Sequence, residues 1–405
     1  MRIIGLDVGR GSAVLCCLDE LPQNLQQHYK KLKRSREFLK LSCDSAGVDK
    51  LLSLAPDAII LEPTGHWYSS FWSTVARQNS IDVFWMGHVN LDKLRGSFGF
   101  TNKRDEEDAL CLAASYFNSN FVDQHGNQRF LNYYYDRDFV ISRVRELFLE
   151  KEQLQKVRTS MINQLRQRLA LDYPEAVKAT LQMSDLRGFT PLIGWLAQQH
   201  ESTRHDNKYK LSVAHQLAIK ISQYTRNHAK AICELELRIT DNLDALTKVL
   251  EIAEYQPYLQ VFDRFGFGLD NKILLLYHIY PFDKFLISGK PWVERDLNDE
   301  GKLQKRDRSL RKFQAFLGMS FSYRQSGDSK KRKFHGSSIV RSHLYAWAVC
   351  QIAPASYRIK SDVGTELSDR YQELRVNVKG KDALIRILFK ATRMLYRELC
   401  RELIP

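Results

Sequence analysis

Four carboxylates in the first third of the chain, Asp7, Glu62, Asp105 and Asp108, are of a type and spacing that could hold divalent cations against a phosphodiester. Two-metal phosphoryl transfer needs carboxylate oxygens around ions roughly 4 Å apart, one activating the attacking oxygen and the other stabilising the leaving one. An oxygen-only donor set favours Mg2+ or Mn2+ over zinc. Asp7 stands in GLDVG between Gly5 and Gly9, where missing side chains leave room for a phosphate or metal to approach. The same residues also suit the first phosphate loop of an actin-like sugar kinase, and an Asp beside a turn is often only a turn former. Glu62 follows the apolar run Ala58 to Leu61. A charge at the end of a buried strand is costly unless paired or metal-bound, the plainer alternative being a side chain that reaches solvent. Asp105 and Asp108 are one helical turn apart and share a face, although acids in a first turn also complement the helix dipole.

The elements that must position these residues are legible nearby. RIIGLDV and AVLCCLD flank a Gly9-Arg10-Gly11-Ser12 turn and read as an antiparallel hairpin. A third strand is predicted over Glu37 to Cys43, a short helix over Val48 to Leu54, and a central buried strand over Ala58 to Leu61, which Pro63 cannot extend. An aromatic helix (Trp67 to Arg77), a strand (Ile81 to Gly87) and a helix opening near Asp105 complete an α/β domain over residues 1–130. From Val140 to Leu171 apolar residues recur three to four apart, and a second such stripe runs from Leu217 to Leu250. Residues 131–256 therefore read as two long antiparallel helices or a dimerising arm of coiled-coil length, joined by a polar linker around Gln198 to Lys210. Residues 257–405 read as a separate, mainly helical domain, with helices at Ser338 to Ile352 and Lys381 to Leu403 and a charged insertion near 293–312.

The chain has 61 Lys+Arg against 47 Asp+Glu, a formal charge of +14, which favours a polyanionic partner: nucleic acid or an acidic membrane. No apolar run approaches the roughly 20 residues of a membrane span, and the start MRIIGLDVGRGS lacks the charged head and apolar stretch of a signal peptide. A cytoplasmic protein is expected, without a membrane partner. The seven cysteines form no C-x-x-C pair, so neither a disulfide framework nor a zinc cluster is indicated.

The motifs GLDVG (5–9), LEPTGHW (61–67) and RDEEDALCLA (104–113) resemble the RuvC-like domain of the DEDD transposases of bridge-RNA-guided insertion sequences, a group related to the Piv-type DNA invertases. The resemblance implies an RNase H-like (RuvC-like) N-terminal domain, a coiled-coil middle and a C-terminal transposase domain. Its metal set falls on Asp7, Glu62, Asp105 and Asp108. The kinase alternative weakens, because the further glycine loops that a kinase needs for phosphate and adenosine are not found in the sequence.

In FSYRQSGDSKKRKFHGSSIVR, Ser326 sits in a predicted loop flanked by Arg324 and by Lys330, Lys331, Arg332 and Lys333. By residue type alone, a serine in a positive field is more often a phosphate donor or plain loop residue than a nucleophile. The family carries a Gln-Ser-Gly serine after a segment like FQAFLGM (313–319) and before a helix start like Gly336 to Arg341, and all three occur here in order. The resemblance therefore implies a composite site in which Ser326 attacks a DNA phosphate and becomes covalently joined to the strand end. The metal-bound carboxylates, which in this family can belong to another subunit, would stabilise the transition state. Donor and target DNA, a structured guide RNA and a homo-oligomer, dimer or tetramer, are the implied partners, with the nucleoid of a bacterium as the place of action.

Residues 302–341 hold twelve Lys/Arg and only two acids, and Arg324, Lys330 to Lys333 and Arg341 are the candidate phosphate ligands. The interleaved aromatics Phe313, Phe316, Phe321 and Tyr323 suit a core better than base stacking, given their helical spacing. A second basic run, Lys30 to Arg36, either binds RNA or solvates a loop, and GFG at 266–268 resembles a glycine motif of the family. Three departures stand out: a long insertion near 286–310, Trp67 where Tyr is common, and an extended linker between the long helices. Competing functions are a Piv-type invertase, an inactive nucleic-acid-binding derivative, and a Holliday-junction nuclease, which would have no use for the serine domain.

Overall fold

Strand β1 (Ile3–Gly9) alternates its side chains between two cores, and this alternation organises the whole N-terminal part. The computed structural model describes residues 1–64, 68–119, 139–184, 187–297, 303–326, 329–356 and 358–404. Among them the chain divides into two compact units, Met1–Arg137 and Asp138–Pro405.

In the first unit β1 pairs antiparallel with β2 (Ser12–Leu18), helix α1 (Leu25–Ser35) follows, and β3 (Leu39–Ser42) adds to β2. After α2 (Ser45–Ser53), β4 (Ala58–Leu61) pairs parallel with β1. Then α3 (Tyr68–Gln78) leads to β5 (Asp82–Trp85), parallel to β4. Helices α4 (His88–Ser97) and α5 (Asp105–Phe117) complete a five-stranded sheet of order β3-β2-β1-β4-β5 with helices on both faces. Ile4, Leu6, Ile59 and Leu61 pack against Leu51 of α2 and Trp72 of α3. Ile3, Ala58, Ile60 and Phe84 pack on the opposite side against α5, with Leu25, Tyr29 and Leu32 of α1 and Leu91 and Leu94 of α4. The basic run Lys30 to Arg36 is therefore largely a helix and not a loop, held by the apolar row Leu25, Tyr29 and Leu32 on its inner face.

The second unit begins with α6 (Phe139–Asp172), followed by short helices α7 (Pro191–Leu196), α8 (Thr203–Lys210) and α9 (Val213–Gln216), and then α10 (Gln223–Leu250). Helices α6 and α10 pair antiparallel: Glu150 meets Arg238, Arg158 meets Glu236, and Asp172 accepts hydrogen bonds from Ser222 and Thr225 at the turn-round end. Leu165, Leu169, Ile232 and Cys233 join Leu192 and Leu196 of α7 in one core. Ile141, Val144 and Leu246 join a second, larger core at the other end.

That larger core is built on α11 (Gln256–Arg264) and α12 (Leu269–Ile279), joined through GFG. The charged insertion is a hairpin, β6 (Val293–Leu297) with β7 (Leu303–Asp307). Helix α13 (Arg308–Phe316) buries Phe313 completely. A second hairpin, β8 (Ser320–Ser326) with β9 (Ser329–His335), replaces the loop predicted around Ser326. Helices α14 (Ser338–Trp347), α15 (Asp362–Asn377) and α16 (Gly380–Leu403) close the unit. No helix among the described residues is long and apolar enough to cross a membrane.

Candidate active site

Register brings the first two carboxylates together. Leu6 pairs with Leu61, so Asp7 and Glu62 are the next residues along two parallel neighbours. Asp7 shares the α5 side of the sheet with Ile3 and Gly5 by alternation. Helix α5 supplies the other pair: Asp105 opens it, exposed, and Asp108 lies one turn deeper, 1% exposed. What lets α5 come down on β1 is Gly5. A Cβ there would lie 2.0 Å from the Ala109 carbonyl oxygen and 2.4 Å from the Ala113 nitrogen. The space expected for a phosphate or metal beside Gly5 is filled by this helix, and the glycine serves the carboxylates by seating their carrier.

The four charges feel one another. Burial, then Asp105, Asp108 and Glu62 in that order, push the Asp7 carboxyl up to about 7, with Lys103 opposing. Glu62 is itself 7% exposed, and its backbone carbonyl accepts a hydrogen bond of 2.8 Å from the Ser69 hydroxyl, which fixes the strand exit.

Two neighbours were not predicted. Arg95, on α4, places Nη1 2.6 Å from Oδ1 of Asp108 and Nη2 2.6 Å from Asp92. Glu107 is 5% exposed, its Oε2 has no hydrogen-bond partner among the described residues, and burial raises its pKa. The local signal for Arg95 was weak, since α4 has no strong apolar stripe to mark it as a helix.

The donor chemistry of Asp7, Glu62, Asp105 and Asp108 fits a hard divalent cation, because the set is all oxygen and its mutual repulsion is what a cation relieves. The carboxylates are near enough to repel but are not drawn into a closed shell. No group of three His, Cys, Asp or Glu among the described residues is spaced to hold a metal ion, and Asp108 is engaged by Arg95.

Ser326 is the last residue of β8 and pairs with Ser329, the first of β9. Arg324 lies on β8, and Lys330, Lys331 and Arg332 on β9, so the serine and the basic run share one hairpin. Side chains of residues 323–332 lie outside the described residues, as do Gly327, Asp328 and Trp67, the residue expected to open the aromatic helix. Lys333 is exposed. Arg341 is partly buried, donates to the Gly318 carbonyl at 3.0 Å, and lies 5.0 Å from the centre of the Phe334 ring. It clasps the root of the hairpin. That root is narrow: a Cβ on Gly336, whose φ is +84°, would lie 1.9 Å from the Ala315 carbonyl oxygen and 3.0 Å from the Gly318 Cα.

A mixed five-stranded sheet with carboxylates at adjacent strand ends and on the facing helix is consistent with the RNase H-like class of fold. Residues 4–174 match a family model for IS110-type DEDD transposases, and residues 301–363 match one for the IS116/IS110/IS902 transposase family. A search of curated proteins found no match. The chain belongs to the IS110 family of transposases, enzymes that cut and join DNA, and the family implies a divalent metal cofactor.

Proposed function

We propose that this transposase exchanges DNA strands through a covalent serine intermediate, guided by a structured RNA that pairs with donor and target DNA. The observation that carries the reading is the convergence of Glu62, Asp105 and Asp108 on Asp7, whose carboxyl is pushed up to about 7 by burial first and by these three charges in addition. The sheet order, with β2 antiparallel to its neighbours, supports an RNase H-like core.

In this reading the Ser326 hydroxyl loses its proton to solvent and its Oγ bonds to a DNA phosphorus. The bond from that phosphorus to one sugar oxygen breaks, and the sugar oxygen leaves as a hydroxyl after taking a proton. The phosphate ester on Ser326 retains the bond energy, so joining to a new strand end is the reverse step and needs no nucleotide cofactor. Asp7, Glu62, Asp105 and Asp108 would hold Mg2+ or Mn2+, which when bound supplies charge stabilisation to the five-coordinate phosphate. Arg324, Lys330, Lys331, Arg332 and Lys333 place phosphate ligands along the strands that carry the serine. Arg341 supports them from the hairpin root. The α6–α10 pair is the oligomerising arm, and the working division is a catalytic domain 1–130, an arm 131–256 and a serine domain 257–405.

Ser326→Ala is expected to abolish the protein–DNA adduct while nucleic-acid binding persists; an adduct surviving in the variant excludes the serine. Strand exchange should cease in EDTA. Sequencing RNA that copurifies with the chain should return one discrete structured species, and its absence from an active preparation removes RNA guidance.

A further inference from the structure

Helices α15 and α16 enclose a groove of about 290 Å3 whose lining holds five cations and one carboxylate. Arg386, Lys390, Arg393 and Arg397 stand at i, i+4, i+7 and i+11 on α16, a single helix face, and Arg370 stands across from them on α15. The opposite face of α16 is the core row Leu384, Ile387, Leu388, Ala391 and Leu395. Lys390 is paired with Glu366 at 2.8 Å and Arg370 with Glu373 at 2.7 Å. Arg386, Arg393 and Arg397 are exposed and make no ion pair among the described residues. Of the carboxylates of α16, Asp382 lies in its first turn, before the row of cations, and Glu398 and Glu402 bind Arg264, whereas Ala383 to Arg397 contains no acid.

Like charges one turn apart weaken a helix, so this row is tolerated because the core face holds α16 in place. An unneutralised face of this kind suits a partner of opposite charge. From Arg386 to Arg397 the helix rises about 16 Å, the axial length over which one strand of B-form duplex presents roughly five phosphates. The floor between the arginines is apolar, formed by Phe389 and Met394. Phe389 also packs edge-on against Phe321 of β8, at 5.5 Å between ring centres, and its carbonyl accepts from Gln314 of α13. The groove thus adjoins the root of the hairpin that carries Ser326.

We propose that the α15–α16 groove binds the phosphodiester backbone of a nucleic-acid strand and lays it against the base of the β8–β9 hairpin. The inference rests on the chain acting on nucleic acid, but on neither the serine nor the carboxylates. Its ligand is a regular run of phosphates, and the groove reads no base sequence.

The test is the full-length double variant Arg393→Gln/Arg397→Gln, with binding measured by fluorescence anisotropy in EDTA across a salt series. The probes are a labelled duplex DNA, a single-stranded DNA and an RNA of the same sequence. Loss of two phosphate contacts should weaken binding about tenfold or more at roughly 0.1 M salt, and flatten the plot of log affinity against log salt by about 1.8 on duplex or about 1.4 on a single strand. The probe that responds names the source of the strand. Arg386→Gln, at the other end of the row, should act in the same direction with about half the change in slope. Both changes are at exposed, unpaired positions, and an unchanged unfolding midpoint confirms the fold. Unaltered affinity and slope on all three probes overturn the proposal. So does a loss confined to binding of a polyglutamate peptide, which assigns the groove to an acidic protein. Ser326→Ala should leave all three affinities unchanged, so failure of the serine mechanism and failure of this site give different results.

Discussion

Arg95 and Asp108 form an ion pair of 2.6 Å whose side chains are 12% and 2% exposed, and so one of the four candidate metal ligands has a cation of its own. Removing one partner of a buried pair strands the other charge, at a cost of about 3–5 kcal/mol. Arg95→Met is therefore expected to destabilise the protein by that amount in urea unfolding, and Asp108→Asn in the same background should recover most of it. A variant within experimental error of the parent would show that solvent already reaches Asp108.

Asp7 sets a dependence on pH whose sign is fixed by the upward shift of its carboxyl from 3.8 to about 7. Below 3.8 the group is neutral in folded and unfolded chains and contributes full stability. As the pH rises towards about 7 the unfolded chain ionises first, so stability falls, and above that both states are charged and the loss is constant. Without metal, Asp7→Asn should melt higher than the parent at pH 8, with the gap shrinking towards pH 4. Added Mg2+ should raise the parent's midpoint at pH 8 and leave Asp7→Asn nearly unmoved; equal responses would separate Asp7 from the metal.

Gly5→Ala tests the seat of α5. The added carbon meets backbone atoms of Ala109 and Ala113 that have no rotamer to escape into, so the helix must shift. Overpacking of this kind costs about 1–3 kcal/mol or more. DNA cleavage should fall further than stability, because Asp105 and Asp108 ride on the displaced helix. Gly96→Ala on α4, where a Cβ meets nothing within 4 Å, is the control and should be neutral or stabilising.

Glu236 is fully buried on α10 and satisfied by three donors: Arg158 Nε at 2.6 Å, the Thr190 amide at 2.6 Å and the Thr190 hydroxyl at 2.8 Å. Arg158→Leu should cost about 3–5 kcal/mol, read as an earlier unfolding transition, whereas Arg238→Leu, an exposed pair with Glu150, should cost about 1 kcal/mol or less. Equal effects would mean that the burial of Glu236 is not what makes its pairing matter.

The carboxylates were legible in the sequence because the buried apolar run that ends before Glu62 and the one-turn spacing of Asp105 and Asp108 are short-range patterns, whereas the Leu6–Leu61 register that sets Asp7 beside Glu62 joins residues fifty-five apart and shows only in the fold. Arg95 was not, since its partner is thirteen residues away across a turn between helices. Helix α1 was read as a basic run because its cations outnumber the three apolar residues that fold it. The β8–β9 hairpin reads as a loop in the sequence for a similar reason: its ladder is made by backbone pairing from Ser320–His335 to Ser326–Ser329, and the alternation of Ser320 to Tyr323 gives way to the unbroken polar runs Arg324 to Ser326 and Ser329 to Lys333. The long helices emerged near the boundaries that their periodicity predicts, since a stripe sustained over many turns leaves little choice of period.

Helices α6 and α10 each pass unbroken from one core to the other, from Val144 to Leu165 on the first and from Leu246 to Cys233 on the second. The pair is consequently a ruler. Twenty-one residues of α6 set about 32 Å between its anchoring points, and no hinge residue lies between them to absorb an error. Seven residues added to both helices would lengthen the ruler by about 10 Å with its faces nearly aligned. Two added to one helix would rotate its far end by about 200° and turn its apolar row out of the distal core. A change of length that keeps both cores of this helix pair in register must therefore come in steps close to whole heptads.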